Sequence, residues 1–111
     1  MRLAGIAVLA LAIAGCTEVT EAVDSTARAG AKGVVTETLA TRFPQVPKKL
    51  ITPFTDCIID YADALEVREF ARAAVVGVDD STVTIVRNIL ARPDTQTCLK
   101  ARTLEAGRAD P

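Results

Sequence analysis

The chain has 111 residues, half of them hydrophobic, 4% aromatic and 24% charged, with a formal net charge of −1. That length holds one domain and leaves no room for two. The near-neutral charge gives no electrostatic case for nucleic acid or an acidic surface as partner, and the absence of histidine removes the commonest general base.

The apolar content is concentrated at the start. Leu3 to Ala14 reads LAGIAVLALAIA, without a charge or a polar side chain, and Arg2 precedes it. A positive residue followed by about a dozen apolar ones has the layout of a secretion signal. The run is shorter than the roughly 20 residues a membrane-spanning helix needs. A core helix is the plain alternative, but it would have no polar face at the chain's start.

The next residues, Ile13-Ala14-Gly15-Cys16, resemble the lipobox of bacterial lipoprotein precursors, in which a branched apolar residue and two small ones precede the cysteine. The resemblance covers the first 16 residues. It implies cleavage after Gly15 and acylation of the Cys16 thiol, with an ordinary signal peptide cut nearby as the alternative. Acylation would anchor the chain to a membrane without spanning it. In Gram-negative lipoproteins Asp after the acylated cysteine signals inner-membrane retention. Thr17 stands there instead, so the expected address is the periplasmic side of the outer membrane. Cleavage would leave 96 residues (111 less 15) and, with Arg2 removed, a net charge of −2.

Export would place the remaining cysteines, Cys57 and Cys98, in an oxidising compartment, where paired cysteines bond. With only two, the connectivity is fixed. Closing a loop of about 40 residues stabilises by roughly 3.5–4.5 kcal/mol on the chain-entropy account. Two unpaired buried thiols are the alternative. Without histidine, two distant thiols do not complete a tetrahedral metal site, and no CxxC points to thioredoxin-type chemistry. No cofactor is expected.

Glu18 to about Arg42 reads as a helix with Val19, Val23, Ala27, Gly30 and Val34 on one stripe. Glu18, Glu21 and Asp24 suit the positive end of its dipole. Gly30 and Gly33 weaken it, and the small residues from Ala27 to Gly33 permit close approach of another helix. The segment 16–42 therefore has three possible roles: a stalk behind the anchor, a helix lying on the membrane, or part of the core. It resembles the small-residue-rich helices of entericidin-like lipoproteins, which implies the membrane-active role.

Residues 43–53 read as a proline-punctuated connector with an exposed Lys48-Lys49 pair. Thr52-Pro53 reads as an N-cap followed by proline at the first helical position. Phe54, Cys57, Ile58, Tyr61, Ala62 and Leu65 then form an apolar stripe, so Cys57 faces inward. Val67, Phe70, Ala71, Ala74 and Val75 form a second stripe out of phase with it. The phase change predicts a break near Asp63, where Asp63 and Glu66 have capping-box spacing, and Gly77 suits the end of the second helix. From Ser81 to Arg92 a helix with Val83, Val86, Ile89 and Leu90 inward competes with a hairpin over 74–86, whose β-branched runs flank a polar turn. Asp79, Asp80 and Ser81 can cap that helix. Pro93 resets the chain, 94–102 reads as a last short helix carrying Cys98 and Leu99, and 105–111 as a frayed tail. The expected fold is all-α, four or five short helices with a disulfide-linked core over 54–104.

No set of residues reads as catalytic. Ser25 and Ser81 lack a GxSxG setting, and no GxGxxG or P-loop pattern occurs. Asp56, Asp60 and Asp63 share a helical face beside Tyr61, opposite Phe54 and Ile58, and are expected to be solvated rather than an acid–base pair. The chain is also similar to small lipoproteins of alphaproteobacteria, some of them named for succinate dehydrogenase. The residues do not support that activity, since a dinucleotide motif, a cluster-binding cysteine set and a histidine for flavin attachment are all missing. The expected role is that of an envelope interaction or structural module with a protein partner. A membrane-active lipoprotein or a small periplasmic enzyme accessory is the alternative.

Overall fold

The computed structural model describes residues 26–109. Helix α1 covers 26–42. A short 3-10 helix, Lys48–Leu50, leads into α2 (Ile51–Asp60), followed by α3 (Ala64–Val76), α4 (Asp80–Leu90) and α5 (Pro93–Ala109). Among the described residues there is no strand, so the segment 74–86 is the end of one helix and the start of the next rather than a hairpin. The expected all-α bundle stapled by one disulfide is the fold found.

The local signals explain where the helices begin and end. The Asp63 carboxylate accepts from the Glu66 backbone N–H at 2.8 Å while Glu66 Oε1 accepts from the Asp63 N–H at 2.9 Å, a reciprocal cap that starts α3. Gly77 ends it at φ +101°, a backbone region closed to side chains with a Cβ. Asp79 caps α4 by accepting from the Thr82 N–H at 3.1 Å, and the Thr82 hydroxyl accepts the Asp79 N–H in return at 3.3 Å. These two caps disfavour the β alternative because each satisfies helical N–H groups that would otherwise be orphaned.

Four expectations are corrected. Thr52 is not the cap of α2. The helix starts at Ile51 with Leu50 before it, and Pro53 sits in the third position, where its missing N–H still forgoes no intrahelical bond. The last helix is longer than expected. It begins at Pro93, whose fixed φ suits a first helical residue, and continues to Ala109, so residues expected in a frayed tail are helical.

The apolar stripes also differ in detail. Leu65 is 71% exposed and Tyr61 42% exposed, because α2 stops before them and α3 resumes with another phase. On α3 the inward line is Val67, Phe70 and Ala73. Val75, expected inside, is 86% exposed, since α4 packs on the Phe70–Ala73 side.

Finally, the core is not confined to 54–104. Ala31, Val34, Val35 and Leu39 of α1, with Phe43 beyond its end, are buried and join Ile58, Ile59, Phe70, Ala73, Val86 and Ile89 in a single cluster. Helix α1 is therefore a wall of the domain. Its buried positions 31, 34, 35, 38 and 39 repeat at helical spacing. Helix α3 passes beside it at Gly30, where a built Cβ would lie 3.7 Å from that of Ala74, an ordinary van der Waals contact that does not itself require glycine. Polar contacts edge the same wall: the Thr36 and Thr55 hydroxyls share a hydrogen bond of 3.2 Å, and Lys32 reaches Asp56 at 3.8 Å. Fully burying a Val, Leu, Ile or Phe side chain contributes about 1.5–3 kcal/mol, so Val34, Val35, Leu39 and Phe43 are a large part of what makes so short a chain fold.

Candidate functional site

Cys16, the lipobox and the expected first turns of the leading helix lie outside the described residues. Within them, the predicted crosslink is present. Cys57 and Cys98 are joined at 2.08 Å with their Cα atoms 5.8 Å apart, tying α5 to α2. Cys57 is fully buried, as its place on the apolar stripe predicts, and Cys98 is partly exposed.

The acidic face does not converge on a point. Asp56 pairs with Lys32, Asp60 is exposed, and Asp63 is consumed in capping α3. Asp80 faces Arg42 at 3.5 Å with its own side chain 99% exposed. Asp79 has its carboxyl held below the usual carboxylate range, chiefly by the Ser81 hydroxyl at 2.6 Å and then by the Thr82 N–H. Its role is capping. Among the described residues no three His, Cys, Asp or Glu side chains are grouped to hold a metal ion. No described helix is long and apolar enough to cross a membrane.

Among the described residues, the polar constellation with the most hydrogen bonds between distant segments centres on Arg92, which sequence reasoning did not single out. Its guanidinium donates to both oxygens of Glu66, at 2.8 and 2.7 Å, and to the Tyr61 carbonyl at 2.7 Å. The side chains of Arg92 and Glu66 are 37% and 14% exposed. The hydrogen bond to Glu66 raises the Arg92 pKa above its ordinary value, keeping the guanidinium charged. Glu66 thus serves twice: one oxygen closes the cap of α3, and both receive the arginine. Arg92 sits in the tight α4–α5 corner and Tyr61 in the α2–α3 corner, so the contact fastens two bends of the chain to each other. The Asp63/Glu66 spacing was legible beforehand. The arginine lies 26 residues from Glu66, and no local pattern announces it.

The surface carries exposed apolar side chains at Leu65, Val75, Val76 and Leu104. A shallow polar cleft between the end of α3 and the start of α4 is edged by Glu69, Arg72, Asp79 and Ser81. Two of its charges, Arg72 and Glu69, lie 3.9 Å apart on neighbouring turns of one helix. With opposite charges already facing each other, the cleft presents no field of one sign.

No protein-family model matches the chain, and neither a curated protein nor a solved structure matches it.

Proposed function

We propose that the protein is a lipid-anchored module of the bacterial cell envelope, held at the periplasmic side of the outer membrane through Cys16 and acting by contact with another envelope protein. The observation that carries this reading is Ile13-Ala14-Gly15-Cys16 directly behind a charge-free apolar run. The crosslinked Cys57–Cys98 pair supports it, since such bonds persist in oxidising compartments. The mechanism is tethering. An acyl anchor confines a small helical surface near a membrane-bound partner and raises its effective concentration there. Val75 and Val76 at the end of α3 and Leu65 at its start offer apolar contact area for that purpose. The burial of Ala31, Val34, Val35 and Leu39 weighs against the membrane-active reading for this part of the helix, because these apolar side chains are spent on the core.

Metabolic labelling with a palmitate analogue, followed by membrane fractionation, tests the anchor. The parent chain is expected to take the label and sediment with outer membranes, and Cys16→Ser to do neither. An unlabelled parent retaining Met1 in the cytosol sinks the reading.

A further inference from the structure

We propose that α5 is a latch that two-electron reduction of Cys57–Cys98 releases from α2, while α1 to α4 keep their packing. This rests on the fold alone and is independent of the lipid anchor.

The buried apolar cluster draws its residues from α1 to α4 and the segments that join them, and the partly buried residues packed against it end at Leu90. Helix α5 adds no side chain to that cluster, although it packs along α2 and the 3-10 helix. Its inward contribution is Thr95, fully buried with a hydroxyl that has no hydrogen-bond partner, together with the partly exposed Cys98, Leu99 and Ala106. Leu104, further along, is 63% exposed. Burying an unpaired hydroxyl opposes docking rather than favouring it. The start of α5 is fixed by the Arg92 clamp just before it, so detachment would begin beyond that corner. Once undocked, a helix of 17 residues is marginal in water. Helix α5 thus lies along α2 without a share in the buried apolar cluster, and the covalent bond pins it there.

The two half-cystines differ in exposure, Cys57 being fully buried and Cys98 partly exposed, and this sets the order of exchange. The thiolate of a dithiol, small-molecule or protein, attacks the sulfur of Cys98, the more exposed of the two residues. The Sγ–Sγ bond breaks, Cys57 leaves as a thiolate and takes up a proton, and Cys98 is held in a mixed disulfide. The second thiol of the reductant then attacks its own sulfur in that bond, expelling Cys98 as a thiolate that is protonated in turn. The reductant departs as a disulfide, oxidised by the two electrons the protein has gained.

Hydrogen exchange followed by mass spectrometry, on the full chain carrying Cys16→Ser with and without dithiothreitol, reads the outcome by segment. Reduction is expected to lower amide protection across 99–108 by about tenfold or more, and to change 34–39 and 86–90 by less than about threefold. Cys57, which has no free thiol in the oxidised protein, should become alkylated by iodoacetamide once reduced and uncovered by α5. The Cys57→Ala/Cys98→Ala variant should show the loosened α5 without reductant and no further response to it. Unchanged protection over 99–108 in the reduced protein overturns the proposal. So does loss of protection in all segments together, or a double variant whose α1 to α4 body is unfolded, because each means that α5 is not separable from the body.

Discussion

Replacing Arg92 by alanine removes three charge-assisted hydrogen bonds at once, two to the Glu66 carboxylate and one to the Tyr61 carbonyl. An exposed ion pair contributes about 0–1 kcal/mol, whereas hydrogen bonds to charged groups contribute about 1.5–3 kcal/mol. Glu66 is 14% exposed and Arg92 37%, so the pair lies between these limits, with the arginine end screened by water. We therefore assign about 1.5 kcal/mol to the bidentate pair and about 0.5 kcal/mol to the Tyr61 contact, giving about 2 kcal/mol for Arg92→Ala. Glu66→Ala loses the pair and the side-chain half of the α3 cap, for about 2.5 kcal/mol. The double variant should cost about 3 kcal/mol, less than the sum of the two, leaving a coupling of about 1.5 kcal/mol. Urea unfolding with unchanged slope measures these differences, and Arg92→Ala should lower the melting midpoint by about 8–16 °C for a domain of this size. Arg42→Ala is the control. Its partner Asp80 is open to solvent, so the loss should stay within about 0.5 kcal/mol. A coupling below about 0.5 kcal/mol would refute the argument that this contact fastens the two corners.

Two glycines should respond in opposite directions in the same unfolding assay. A Cβ at Gly33 meets nothing within 4 Å, so Gly33→Ala should stabilise by about 0.5–1 kcal/mol, whereas Gly77→Ala forces a side chain into φ +101° and should cost about 1–3 kcal/mol. Thr95→Val keeps the shape of the side chain and removes the unpaired hydroxyl, so denaturation midpoints should hold or rise. A fall would mean that the hydroxyl has a partner. Asp79 has its folded-state pKa depressed, so its contribution is present above the ordinary Asp value of about 3.9 and fades as pH falls through the lower folded value. Stability measured from pH 6 towards pH 2 should decline less steeply in Asp79→Asn than in the parent.

The features that could be read in advance are those whose causes are local. Asp63 with Glu66 three residues on, Gly77 at the end of α3, and a cap for α4 among Asp79, Asp80 and Ser81 are signals whose donors and acceptors lie within one turn, and the structure closes all three, the last through Asp79 and Thr82. The inward Cys57 follows from the helical repeat, and its bond to Cys98 from there being no other candidate once Cys16 is assigned to the anchor. Other features depended on which helix lies against which. The leading helix, read over residues 18 to 42, had three possible neighbours, a membrane, solvent or the domain. Its apolar stripe alone does not choose, since burial is equally favourable against any apolar surface. The same indifference let Val75 be expected inside and left Thr95, polar by type, buried. Arg92 shows the limit most plainly. Its geometry is set by two bends that meet only when α2, α3 and α4 have docked, so the contact belongs to the tertiary structure and to no segment of the chain taken by itself.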